Sequence, residues 1–180
     1  AFWADRNDTL IVQDVSYDRW RSEPAKSRLA NLPHAEGRIL NIGSFAKSHG
    51  LSAARVGWLV GYRHLVRPSA IASLLNAPFV APLCQQVAMH AQRMGEPAMI
   101  STRDDLNARR GYVEERLQGM GLKPWPARAG FFHWIDVPTE ETARVFAQRL
   151  LTETGVLVNP GEVFGPSGSR FIRLSFAVDE

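Results

Sequence analysis

Cysteine is almost absent. Cys84 stands alone in 180 residues, which excludes an internal disulfide, so the chain does not depend on an oxidising compartment. A lone thiol of this kind reads as a small buried residue rather than a nucleophile. Long hydrophobic runs are missing as well. The longest apolar stretches are broken by Asn76, Pro78 and Pro82, far short of a membrane span. No charged-then-apolar leader opens the sequence, and the expected location is the cytoplasm, away from any membrane. Charge of one sign is scarce: Lys and Arg number 21 against 18 Asp and Glu, a net +3 with no run of five like charges. So diffuse an excess argues against a nucleic-acid partner. The five histidines show no metal-ligand spacing with one another or with Cys84. There is no Gly-x-Ser-x-Gly elbow, no glycine-rich nucleotide loop, no internal repeat and no low-complexity segment.

What remains is an ordinary globular composition, 45% apolar and 22% charged, in a chain long enough for one domain or two small ones. Thr9 to Gln13 is a nearly continuous apolar run, the pattern of a strand buried on both faces of a parallel sheet, and it ends at Asp14. Arg38 to Gly43 reads as a second strand running into Ser44 and Lys47, and Val56 to Gly61 as a third. Ligands of open α/β sheets gather beyond the carboxyl ends of strands, which predicts that Asp14, Ser44 and Lys47 are neighbours.

From Arg63 the pattern turns helical. Leu65 to Leu75, Pro82 to Met94 and Pro97 to Gln118 carry apolar residues at helical spacing, with Gly95-Glu96-Pro97 as a break. The last third reads as a small α/β unit. It has strands over Gly130 to Asp136, Val156 to Val158 and Ser169 to Phe176, and a helix that starts near Thr139 with acids in its first turn and stops at Gly155. In the final strand Ile172, Leu174 and Phe176 share one face, leaving Arg173 on the other. This organisation predicts a larger domain over 1–96, a connecting helix over 97–120 and a small domain over 121–180.

The segment Ser44-Phe45-Ala46-Lys47-Ser48-His49-Gly50-Leu51-Ser52-Ala53-Ala54-Arg55 carries the chemistry. A lysine amine condenses with a carbonyl. A serine three positions before it and an arginine eight after it supply O–H and N–H donors suited to a phosphate. Trp58, just beyond, reads as a core residue. Thirty residues before Lys47 stands Tyr17, in the string Asp14-Val15-Ser16-Tyr17, and near the end comes Pro160-Gly161-Glu162-Val163-Phe164-Gly165, followed by Arg173.

These three motifs resemble those of the class I/II aminotransferases, within the fold-type I pyridoxal-phosphate enzymes. The resemblance implies an α/β fold: the C-terminal part of a large, mostly parallel-sheet domain plus a small α/β domain. It implies that Lys47 forms a Schiff base with pyridoxal 5'-phosphate, that Ser44 and Arg55 bind the phosphate, and that Asp14 faces the pyridine nitrogen. Tyr17 would bond the phenolic oxygen, and Arg173 would take the substrate α-carboxylate as a bidentate pair. Amino acids and 2-oxo acids are the implied substrates and a homodimer the implied assembly.

Both ends of the sequence look cut, and the resemblance covers only the second half of a family member. Part of the cofactor cradle is therefore expected upstream, and the segment alone is expected to be inactive. β-Elimination, decarboxylation and a cofactor-sensing domain of a transcription regulator use the same residues and stand as alternatives.

Overall fold

The structure is a computed structural model that describes residues 2–22 and 37–177. Helices and two small sheets make an α/β fold that divides into two compact units, Ala1–Ser101 and Thr102–Glu180.

In the first unit a short helix α1 (Phe2–Arg6) precedes β1 (Ile11–Asp14). β2 (Ile39–Ser44) runs directly into a single helical turn, α2 (Phe45–Ser48), and β3 (Gly57–Gly61) completes the sheet. β1 pairs with β2 in parallel, Ile11 opposite Ile39 and Asp14 opposite Ile42, and β3 is antiparallel to β2. Two β-branched positions in β1 fit the pleat, but the strand is not covered on both sides. Val12 is 61% exposed, and across the sheet Val60 is 58% exposed. The run of apolar residues predicts burial that these residues do not receive within the chain itself. Trp58 differs from expectation too. It is 38% exposed and lies across Gly43, where a Cβ would stand 2.9 Å from its indole nitrogen and nearer still to its ring carbons. Only glycine lets the indole approach β2 this closely.

α3 (Arg63–Asn76) and α4 (Pro82–Gly119) follow. The predicted interruption at Gly95 is present as one left-handed residue (φ 72°, ψ −167°) inside α4, a conformation that glycine adopts without a Cβ clash.

The second unit has its own core. Leu117 from α4, Ile135 and Val137 around β4 (Phe132–Asp136), Ala143 and Ala147 on α5 (Ala143–Thr154), Val158, and Ile172 on β6 (Phe171–Ser175) pack together. β6 is the middle strand, antiparallel to β4 on one side and to the two-residue β5 (Asn159–Pro160) on the other. Ile172 and Phe176 are buried while Arg173 lies on the opposite face, as the alternation predicts.

Two boundaries differ from the sequence expectation. α5 is capped by Thr142, whose hydroxyl accepts from the Val145 amide at 3.4 Å, so Glu140 and Glu141 precede the helix instead of filling its first turn. Glu141 instead holds Arg149 at 2.9 Å, and that hydrogen bond keeps its carboxyl below the ordinary value. Val156 to Val158 is not a strand. After the left-handed Gly155 cap the chain turns inward at Val158 alone, and pairing with β6 begins at Asn159.

Candidate active site

The carboxyl ends of β1 and β2 lie at the same end of the sheet, because the two strands are parallel; Asp14 pairs with Ile42, and β2 runs two residues further to Ser44. Asp14 ends β1. One of its carboxylate oxygens accepts the Ser16 amide at 2.8 Å, closing a turn, while the other has no partner among the described residues. Ser44 ends β2 in extended conformation (φ −137°, ψ 126°) and leads into α2, yet its hydroxyl makes no capping bond. Its carbonyl accepts from Ser48 Oγ at 2.9 Å, and its own hydroxyl makes no hydrogen bond among the described residues. Lys47 follows one helical turn later.

Trp20 fastens these two strand ends together. Its indole N–H donates to the Lys47 carbonyl at 2.6 Å across 27 residues of sequence, and its side chain is 4% exposed. The turn from Tyr17 to Trp20 is thereby held against α2. Sequence reasoning missed Trp20; a large aromatic three residues past Tyr17 was the available signal. His49 stacks on Phe45 at 4.7 Å and meets Ser48 Oγ at 2.7 Å. Burial pushes its imidazole below the ordinary value, and the Arg19 cation adds to the effect.

Arg55 sits next to the start of α2, since the Phe45 amide donates to the Val56 carbonyl at 3.0 Å and Ser44 pairs with Gly57. Its backbone is left-handed (φ 54°, ψ 37°), strained for a residue with a side chain. One guanidinium N–H donates to the Ser52 carbonyl at 3.2 Å, and the exposed side chain retains further donors.

Asp14, Tyr17, Ser44, Lys47 and Arg55 thus occupy one end of the first unit's sheet. They supply a carboxylate, a phenol, a hydroxyl, an amine and a guanidinium. This donor set fits pyridoxal phosphate: an anion site, a partner for a protonated ring nitrogen and an amine for an aldehyde. The large cleft of the same unit is a separate feature. It has a volume of about 940 Å³ between the Gln13, Asn41 and Val60 face of the sheet and the first half of α4, and Ser44 alone of the predicted residues lines it.

Arg173 belongs to the second unit. Its Nη2 donates to Asn159 Oδ1 at 3.1 Å, and its guanidinium carbon lies 4.2 Å from the Phe132 ring centre and 4.6 Å from that of Phe164. No carboxylate among the described residues pairs with it. The cation is held in place but not neutralised. Among the described residues there is no cluster of His, Cys, Asp and Glu that could hold a metal, and no helix long and apolar enough to cross a membrane.

The chain is 32% identical over 177 residues to the arginine–pyruvate transaminase AruH of Pseudomonas aeruginosa, covering 96% of this chain and 44% of that protein. It is 28% identical over 178 residues to the LL-diaminopimelate aminotransferase of Maridesulfovibrio salexigens, covering 98% of this chain and 46% of that protein. An aminotransferase from Staphylococcus aureus superposes with a TM-score of 0.88 at 25% identity, over 96% of this chain and 46% of that one. The chain therefore spans under half the length of these relatives. The family described as aminotransferase class I and II matches residues 2–180, and the chain belongs to that family.

Proposed function

We propose that this chain is the lysine-bearing part of a pyridoxal-phosphate-dependent aminotransferase that moves an amino group between an amino acid and a 2-oxo acid. The observation that carries the reading is the seating of Lys47 one turn beyond Ser44, beside the carboxyl end of the strand that ends in Asp14. The first unit belongs to the large cofactor-binding domain, and the second is the small domain joined to it through the later part of α4. The parent acts as a homodimer in the cytoplasm, and the segment alone is inactive because the rest of the cofactor cradle comes from outside it.

Pyridoxal phosphate, when bound, supplies an aldehyde for the amine and a ring that takes up the electron pair left at the substrate α-carbon. Ser44 Oγ and the Arg55 guanidinium would hold its phosphate. Asp14 would face the pyridine nitrogen with its open oxygen and would keep it protonated, because a nearby carboxylate favours the charged form. The Tyr17 hydroxyl would donate to the phenolic oxygen. Arg173 would bind the substrate α-carboxylate as a two-pronged pair, and Lys47 Nζ would serve as the general base for the α-proton.

Product analysis of the full-length parent with a single amino acid, with and without a 2-oxo acid, tests this. Turnover that requires the 2-oxo acid and yields its amino acid is expected. Ammonia or carbon dioxide released without an acceptor would replace transamination by elimination or decarboxylation.

A further inference from the structure

We infer that Asn159, with the rings of Phe132 and Phe164, forms a neutral clamp that sets how Arg173 presents its guanidinium to a carboxylate. The inference rests on the reading of Arg173 given above and assigns it three positioning residues that the motif comparison does not. Asn159 is the cross-strand partner of Arg173 in the β5–β6 pairing, so the two side chains rise from the same face of the sheet. Asn159 Oδ1 takes one N–H of Nη2 at 3.1 Å. Phe132 on β4 and Phe164 on the turn after β5 bring their rings within cation–π distance of the guanidinium carbon. The Nε atom is shielded from solvent without a partner among the described residues.

A guanidinium has five N–H donors in one plane. Ring contacts restrict that plane, and a single bond to Nη2 fixes rotation within it. The remaining Nη donors stay available for a two-pronged bond to a carboxylate. Charge neutrality of the clamp is what the chemistry needs. An asparagine oxygen orients the cation without cancelling it, whereas a carboxylate there would form an internal ion pair and compete with the substrate.

Steady-state kinetics of the full-length, cofactor-loaded protein, together with inhibition by propionate as a probe of the carboxylate contact alone, tests the clamp. Asn159→Ala is expected to raise both the amino-acid KM and the propionate Ki roughly five- to tenfold, with kcat within about twofold, less than the loss of a direct hydrogen bond to a charged group because the guanidinium keeps its charge and loses only its orientation. Asn159→Asp, nearly isosteric, is expected to raise both about a hundredfold, because the guanidinium is then occupied. Phe164→Leu is expected to raise them about threefold, for the loss of one ring contact.

Arg173→Ala separates the two levels of argument. If it leaves KM and Ki unchanged, the assignment of Arg173 to the carboxylate fails. If it raises them while Asn159→Ala and Asn159→Asp do not, the clamp is overturned and the assignment stands. Should Asn159→Ala not accumulate as folded protein, the Asn159→Asp values decide alone.

Discussion

Gly161→Ala and Gly111→Ala are the same chemical change in the same unit, and the structure gives them opposite signs. Gly161 follows Pro160 and lies backbone to backbone against Gly168. A Cβ placed on it would stand 2.7 Å from the Phe171 carbonyl oxygen and closer still to the Gly168 carbonyl. Neither obstacle can rotate away, so the turn Gly161–Phe164 must part from the start of β6. Overpacking of this kind costs about 1–3 kcal/mol, and immovable backbone places this case toward the upper value. Gly111 lies inside α4 with nothing within 4 Å of an added Cβ, so alanine there gains about 0.5–1 kcal/mol from the lower backbone entropy of the unfolded chain. The two variants should therefore differ by about 2–4 kcal/mol. Urea unfolding of both, with the midpoint converted through a common m-value, measures the difference. The displaced turn carries Phe164 and adjoins Asn159, so Gly161→Ala should also raise the amino-acid KM while Gly111→Ala leaves it alone. Equal unfolding midpoints for the two variants would refute the steric reasoning.

His133 predicts a pH dependence of stability. It is fully buried against Phe176, ring centres 5.0 Å apart, with neither ring nitrogen in hydrogen-bonding geometry among the described residues. Burial pushes its imidazole below the ordinary value. The Arg110 backbone and Glu114 on α4 oppose this, and the Arg110 cation adds to it. The unfolded chain then binds a proton first. Stability is complete above the unfolded value, near 6.5, and falls as pH drops toward the folded one, by at most about 1.4 kcal/mol per pH unit for one group. Urea midpoints at pH 8 and pH 5 should diverge in the parent and less so in His133→Leu; an unchanged slope in the variant would remove His133 as the cause. Arg55→Gly relieves a left-handed backbone worth about 1–2 kcal/mol, partly offset by about 0.5–1 kcal/mol of glycine chain entropy. It should therefore unfold slightly later than the parent while binding pyridoxal phosphate at least about tenfold more weakly, the loss of one charged hydrogen-bond partner. Earlier unfolding, or unchanged cofactor affinity by fluorescence titration, would contradict the role given to that residue.

The placement of most of the candidate residues was legible because they are local in sequence. Ser44, Lys47 and Arg55 share one strand–turn–strand segment, and Asp14 ends a strand that pairs in parallel with β2. The residues that fix these groups were not legible, because each acts across a contact that only folding creates. Trp20 reaches the Lys47 carbonyl over 27 residues, and Asn159 meets Arg173 through the register of two antiparallel strands. The same reason explains the misread segment after Gly155. Three β-branched or apolar residues favour a strand, but a strand exists only where a partner ends up, and β6 is met first by Asn159 and Pro160. The exposure of Val12, Trp58 and Val60 was likewise invisible to a pattern that reports hydrophobicity rather than neighbours.

The central claim is that Lys47 is the amine that takes the cofactor. Borohydride reduction of the full-length protein with pyridoxal phosphate, followed by digestion and mass spectrometry of the peptide bearing Lys47, tests it most directly. A pyridoxyl-phosphate adduct on Lys47, lost together with the visible absorbance band in Lys47→Ala, is the result the account predicts. An adduct on another lysine, or a band that survives in Lys47→Ala, would contradict it.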